Sequence, residues 1–341
     1  MPENGYVQSS WSKPDSSFET PLRPSSLEEF IGQEAICSRL HILIQAAKKR
    51  KEALGHILLS GPPGLGKTTL AQIIAKTMQG NIVTSSGPAI EKGGDLAGIL
   101  TNLQPGDVFF IDEIHRLPKT IEEYLYSAME DFSLDLIIDS GPSARSVPIK
   151  LNPFTLIAAT TRSGLLSSPL RSRFAISLRV DYYDPMALQK IVTRSASLLK
   201  VSLQDAASLV IVERARGTPR IANNLLRWVR DFAQTNNHSH IDEEISQKAL
   251  NMLGLDDKGL DETDIKLLSI IIHHHNGGPV GVKTIAVALG EEVDTLEEVY
   301  EPYLILQGLL KRTSRGREVT QLAYKHLAIP YPYKNKNGVS S

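Results

Sequence analysis

The sequence predicts an α/β core, then a small all-helical domain, then a module of helices and a basic hairpin. Three observations support this order. Short, strongly apolar runs alternate with helical stretches from Leu22 to about Val180. From Asp184 to about Gly254 the pattern is helical, with cap residues at its interruptions. Beyond that, helices precede a hairpin rich in lysine and arginine. With 341 residues, of which 41% are apolar and 22% charged, two or three domains with real cores are expected.

Residues 1–20, rich in Ser, Pro and Gly or Asn, read as a disordered tail. The core spans 21–182. His56–Ser60, Asp107–Ile111 and Phe154–Ala159 are continuously apolar, as parallel strands buried on both faces must be. Between the last two lies an apolar hairpin, Leu134–Leu151. Leu136, Ile137 and Ile138 form one arm, Val147, Ile149 and Leu151 the other, and Gly141-Pro142 the turn. From the residues alone, ordinary sheet and an exposed contact surface are both open readings.

The helical domain spans 183–255. Asp184 and Pro185 suit a helix cap and first position, ahead of Leu188, Ile191 and Val192. Ser202 with Asp205 starts a second helix that Gly217 stops; Thr218 and Pro219 open a third. A polar, acidic connection from Gly254 to Leu260 marks the next boundary. In 256–331, Asp261 with Asp264 starts a helix, Thr284–Leu289 is a short one, and Asp294 with Glu297 caps a third running to Leu306. Leu309–Thr313 and Glu318–Leu322 then bracket Ser314-Arg315-Gly316-Arg317, the order of a winged-helix module. Residues 332–341 read as a frayed end.

The net charge of -1 excludes a protein coated in positive charge, so any nucleic-acid contact must come from a local patch. A single cysteine, Cys37, excludes an intrachain disulfide or a cysteine metal site and points to a reducing compartment. Met1–Thr20 lacks the apolar run of a signal peptide, and no stretch is long and apolar enough to span a bilayer. A soluble, cytoplasmic protein is the expectation. His273-His274-His275 cannot all face one ion from a helix, so a structural or solvent-facing run is expected there.

The chemistry centres on Gly61-Pro62-Pro63-Gly64-Leu65-Gly66-Lys67-Thr68, which fills every position of the phosphate-loop pattern. It follows an apolar strand and precedes the helical run Leu70–Met78. Closely spaced glycines let backbone N–H groups face phosphate oxygens, at the positive end of the next helix. Lys67 is expected on the β and γ phosphates of ATP and Thr68 on Mg2+. Val108–Ile111 then ends in Asp112-Glu113. Two acids closing a buried strand need a cation or polarised water, so Asp112 is expected to help hold the metal and Glu113 to activate water. A third strand ends in Thr160-Thr161, whose hydroxyls can reach the attacking water or the γ phosphate. Arg220 sits in the first turn of its helix, where the dipole disfavours a cation, so an anion is expected to hold it. Arg171 and Arg173 have no phosphate to meet within one subunit; in a ring, one becomes an arginine finger for the neighbouring site.

These elements in this order resemble the AAA+ superfamily and, within it, the RuvB family of Holliday-junction motors, over about Leu22–Ile329. Gly61–Thr69 and Asp112-Glu113-Ile114-His115-Arg116-Leu117 mark the superfamily. Ser168-Pro169-Leu170-Arg171-Ser172-Arg173-Phe174, Arg216-Gly217-Thr218-Pro219-Arg220-Ile221-Ala222 and Gly277-Gly278-Pro279-Val280-Gly281 resemble the family itself. The resemblance implies an AAA+ P-loop ATPase core with a helical lid and a winged-helix domain. It implies Thr161 as first sensor, Arg173 as trans arginine finger and Arg220 as second sensor. It places Leu22, Arg23, Pro24, Ile31 and Tyr182 around adenine, and Thr69 and Pro219 beside the nucleotide. Ala158-Ala159 departs from the family's glycine-alanine by one methyl. The resemblance further implies a homo-hexamer on duplex and four-way-junction DNA, a RuvA-type partner at hairpin 134–151, and a RuvC-type resolvase as a further partner. Alternatives are another AAA+ DNA-processing ATPase, such as a clamp-loader subunit or replication initiator, and a non-hydrolysing nucleotide switch.

The third helix of the winged module carries Glu297, Glu298 and Glu301 and no lysine or arginine, a poor surface for a major groove. DNA contact is instead expected from Lys311, Arg312, Arg315 and Arg317 on the hairpin, gripping phosphates without reading sequence.

Overall fold

A computed structural model describes residues 16–137 and 146–332. These residues divide into two compact units: 16–199 with 217–223, and 200–216 with 224–332.

The N-terminal unit is built on a five-stranded parallel sheet of β1 (Ile57–Ser60), β2 (Ile82–Ser86), β3 (Val108–Asp112), β6 (Thr155–Thr160) and β7 (Ile176–Arg179), in the order β2-β3-β6-β1-β7. Ile57, Leu58 and Leu59, Phe109 to Ile111 and Leu156 to Ala159 are fully buried, which explains their uninterrupted apolar runs. Register sets the site. Ser60 pairs with Thr160, and Ile111 with Ala158, so the ends of β1, β3 and β6 lie side by side at the carboxyl edge. Around the sheet lie α1 (Ser16–Leu22), α2 (Glu34–Arg50), α3 (Lys67–Met78), α4 (Gly93–Asn102), α5 (Lys119–Glu130), α6 (Ser168–Ser172) and α7 (Pro185–Leu198). Asp184 caps α7 by accepting from Ala187 N at 2.8 Å, as Asp-Pro predicts.

The tail expectation for 1–20 fails over its last residues, which form α1; 1–15 lie outside the described residues. Buried Glu19 and Leu22, three positions apart, hold that turn down despite its polar composition. The hairpin is β4 (Ser133–Ile137) paired antiparallel with β5 (Ser146–Lys150), Leu134 opposite Ile149. Leu134 and Leu151 belong to the core and Val147 is exposed; Ile138 and the Gly141-Pro142 turn lie outside the described residues.

The C-terminal unit holds α8 (Asp205–Arg214), most of α9 (Pro219–Thr235), α10 (Glu243–Met252), α11 (Glu262–His275), α12 (Val282–Leu289), α13 (Val293–Thr295) and α14 (Glu301–Leu306). Asp261 and Asp264 make a reciprocal capping box on α11. The third helix departs from its expected form. It starts at Val293, so Asp294 lies in its first turn and Glu292 takes the cap position, and a π turn over Leu296–Tyr300 interrupts it. Pro302 lacks the N–H that a regular helix needs there. The wing is β8 (Leu310–Thr313) and β9 (Gly316–Val319), so Leu322 lies in α15 (Gln321–His326) rather than in the strand. β9 also bonds Val280, Arg317 N donating to Val280 O at 2.7 Å.

Candidate active site

The phosphate loop leaves β1 at Gly61, whose φ of 140° and 2.1 Å approach of a would-be Cβ to Val180 O admit only glycine. Gly61 N donates to Thr160 O at 3.1 Å, tying the loop to β6. Gly64 and Gly66 also take positive φ, and Lys67 opens α3. Consecutive N–H groups in such conformations, at a helix start, form an anion cradle. Lys67 is buried, and its Nζ donates to the carbonyls of Gly61 and Pro62, both at 2.8 Å. Burial pulls its pKa down, while Glu113 and Asp112 oppose that shift. Thr68 follows half-buried on the same turn, and Thr69 is buried against the core.

Asp112 ends β3, and its Oδ1 accepts from Glu113 N at 3.0 Å. Burial, then the neighbouring Glu113, pushes the Asp112 carboxyl above its ordinary range. A carboxylate made costly by burial and a like charge suits a hard divalent cation. Glu113 itself sits at φ 48°, a left-handed conformation. Its Oε2 accepts from Thr161 Oγ1 at 3.1 Å and Thr161 N at 3.4 Å, with His115 Nδ1 at 3.1 Å. Burial raises the Glu113 pKa, but those hydrogen bonds outweigh it and leave the carboxyl below its ordinary value.

The strand pleat separates the paired threonines. Thr160 is fully buried, its hydroxyl 2.9 Å from His115 Nδ1, whereas Thr161 turns toward Glu113. The hydroxyl that shares the site with the acid is therefore that of Thr161.

Arg220 reaches the loop from the first turn of α9, its N–H donating to Gly64 O at 3.4 Å. The anion beside its guanidinium is the Glu19 carboxylate, 3.0 Å from Nε, and the other Glu19 oxygen takes Arg23 at 3.1 Å. Glu19 lies in the stretch whose composition reads as a tail. Glu19 of α1 thus links Arg23 to Arg220, and Leu22 closes the same helix, buried. Ile31 follows Phe30, whose ring lies 2.9 Å from where a Gly66 Cβ would stand. Tyr182 and Pro219 flank Gly217, whose Cβ would meet Tyr182 at 3.0 Å. The adjacent Tyr183 carried no signal in sequence, yet its hydroxyl donates to Leu65 O at 3.1 Å and steadies the loop.

The two candidate finger arginines are engaged differently. Arg171 donates to the carbonyls of Ser163 and Leu166. Arg173 stacks 4.4 Å over the Tyr126 ring, pairs with Glu130 at 3.0 Å and donates to Pro169 O at 2.7 Å. Tyr126 is itself held, its hydroxyl donating to Glu122 Oε2 at 3.3 Å and lying 3.1 Å from Ser167 Oγ.

The basic wing needs correction. Arg317 is only 9% exposed and is claimed by acids, Nε to Glu301 at 2.6 Å and a terminal nitrogen to Glu297 at 2.7 Å. Arg312 pairs with Glu301 at 2.6 Å but keeps half its side chain in solvent. Arg317 is therefore a structural cation, and Glu297 and Glu301 face the wing instead of repelling a duplex. Lys311 and Arg315 are exposed. His273 and His274 are exposed, and no cluster of three or more metal-ligating side chains occurs among the described residues. Cys37 is half-buried, and burial pushes its thiol up, away from reactivity. No helix among the described residues is long and apolar enough to cross a membrane.

Three family models match the chain in succession. Residues 22–180 match the Holliday junction DNA helicase RuvB P-loop domain, 183–256 the RuvB AAA lid domain, and 257–328 the RuvB C-terminal winged helix domain. A Holliday junction branch migration complex subunit RuvB from Protochlamydia amoebophila is 62% identical over 322 residues, covering 94% of this chain and 97% of the relative. The corresponding subunit of Chlamydia felis is 58% identical over 313 residues, 92% of this chain and 93% of its own. Among solved structures, the Thermotoga maritima RuvB Holliday junction branch migration motor superposes with a TM-score of 0.84 at 54% identity, covering 92% of this chain and 100% of that one.

Proposed function

Since the chain belongs to the RuvB family of P-loop ATPases, we propose that it is the ATP-hydrolysing motor that drives branch migration of Holliday junctions. What carries the reading is that Lys67, the Glu113–Thr161 pair and Arg220 meet at one phosphate loop, while Arg173 is bonded elsewhere, to Glu130. A site complete but for one cation, and a cation without a site, fit a homo-hexameric ring in which Arg173 serves the neighbour.

Lys67 and the loop N–H groups bind the β and γ phosphates, and Leu22, Arg23, Ile31, Tyr182 and Pro219 enclose the adenine. Thr68 and Asp112 would hold Mg2+, which supplies charge neutralisation between the phosphates. Glu113, ionised, takes the proton of the attacking water, and Thr161 orients it. Arg220 reports nucleotide state to the helical lid, so turnover tilts the lid and draws duplex past Lys311 and Arg315. Hairpin 134–151 is the surface for a RuvA-type partner, and a RuvC-type resolvase acts on the same junction. The work belongs in the cytoplasm. A clamp-loader or initiator role is disfavoured by the succession of three RuvB domains.

A synthetic four-way junction, incubated with ATP and with or without a RuvA-type protein, tests the reading; robust ATP turnover with an intact junction would sink it. Mixing Arg173→Ala with Lys67→Ala protein tests the shared site. Hydrolysis should return in mixed rings, and none despite proven co-assembly excludes a finger in trans.

A further inference from the structure

We propose that His115 is a positioning residue for the general base, holding Glu113 in register with the β6 edge and the phosphate loop. The inference rests on Glu113 being that base.

His115 lies on the single 3-10 turn Ile114–Arg116 that follows Glu113, and its side chain is 5% exposed. One ring atom, Nδ1, stands 3.1 Å from Glu113 Oε2 and 2.9 Å from Thr160 Oγ1. An ionised carboxylate only accepts, so the nitrogen facing it must bear the proton. Nδ1–H is therefore shared between Glu113 Oε2 and Thr160 Oγ1, both accepting, and the tautomer follows from the acid it serves. Thr160 Oγ1 also accepts from Arg162 N at 3.0 Å, while Thr160 O accepts from Gly61 N at 3.1 Å. One threonine thus fixes the imidazole through its hydroxyl and the phosphate loop through its carbonyl.

Consequently, the donors from His115 and Thr161 converge on Oε2 of Glu113 and leave Oε1 to receive the proton from water. The backbone of Glu113 is constrained as well. A Cβ on Gly87 would lie 2.4 Å from Glu113 O, so only a glycine lets the neighbouring segment close on the left-handed residue. With backbone and one carboxylate oxygen both held, His115 decides where the second oxygen points. It touches neither substrate nor water in this role.

The test is ATP turnover by the full-length protein on duplex DNA, beside affinity for a fluorescent ADP analogue. His115→Leu removes the donor and should lower kcat by roughly 10- to 100-fold, the cost of a misplaced group. Affinity for the analogue should stay within about twofold of the parent protein. His115→Asn can put an amide N–H where Nδ1 stood and should recover most of the turnover. In a Glu113→Gln background, His115→Leu should cost nothing further. Undiminished kcat in His115→Leu overturns the proposal, as does an additive loss in the double variant. Parallel loss of affinity and turnover in both the Leu and Asn variants, with lowered thermal midpoints, would make His115 a fold residue only. If Glu113→Gln hydrolyses ATP at the parental rate, the base assignment falls first.

Discussion

His56 is a pH-sensitive member of the core. Its Nε2 lies 3.0 Å from Met129 O, and Nδ1 accepts from Leu156 N at 2.9 Å. A carbonyl only accepts and an amide N–H only donates, so the ring is neutral with its proton on Nε2. Burial depresses its pKa, against the Met129 bond. The unfolded chain binds a proton near pH 6.5, whereas the folded ring resists until lower pH, so stability is lost as pH falls below about 6.5. Urea midpoints should drop between pH 7.5 and 5.0, and His56→Gln, which keeps a donor for Met129 O, should flatten that dependence. An unchanged slope would assign the pH effect to other groups. Nothing in the sequence marks His56, since its partners lie far along the chain. Lys67, Asp112 and Glu113 were legible because phosphate chemistry demands fixed spacing after apolar strands. Glu19, Tyr126 and Glu130 meet their arginines only through the fold. The paired threonines fall between these cases: the family resemblance singles out Thr161, but from the residues alone only the pleat tells which one faces Glu113.

At the scale of elements, the wing shows how charge counting misleads. Four cations near one turn read as a DNA grip, yet Glu297 and Glu301, one helical turn apart, project toward the same strands and claim Arg317 and part of Arg312. The sequence holds the acids and the bases but not their register. Lys311→Ala with Arg315→Ala should weaken duplex binding and lower the slope of log K against log salt by about two, one for each phosphate contact. Arg317→Ala should leave that slope unchanged and instead destabilise the module by about 1–3 kcal/mol, because it leaves Oε1 of buried Glu301 without its partner while Arg312 still holds Oε2. A salt slope that falls with Arg317→Ala but not with the exposed pair would reverse these assignments. The π turn before Pro302 was likewise unreadable as such, although the proline itself announces that no regular helix can pass there.

For the whole molecule, the division into two units implies that stability is not one number. The C-terminal unit has its own buried ion pair, Arg216 with Asp264, and the Arg216 guanidinium also lies 4.8 Å from the Tyr303 ring centroid. Burial pushes the Asp264 carboxyl up, with Arg216 opposing. Asp264→Ala should remove about 3–5 kcal/mol from that unit. Calorimetry should then show its transition moving down while the nucleotide-stabilised transition of the N-terminal unit stays in place. A single transition shifting as a whole would show that the units melt together. The order of domains was legible from periodicity and caps; residues 183–256 match the RuvB AAA lid domain, while 185–199 group by packing with the α/β unit. The pinning of Arg317 to two acids of one helix also has a mechanical side. A hairpin fastened only at its strand ends would bend under load and dissipate each stroke. Cross-braced to its helix at mid-strand, this one is stiffened against such bending, so any traction that Lys311 and Arg315 exert on a DNA backbone, as proposed, would pass to the domain as displacement instead of being lost as recoil.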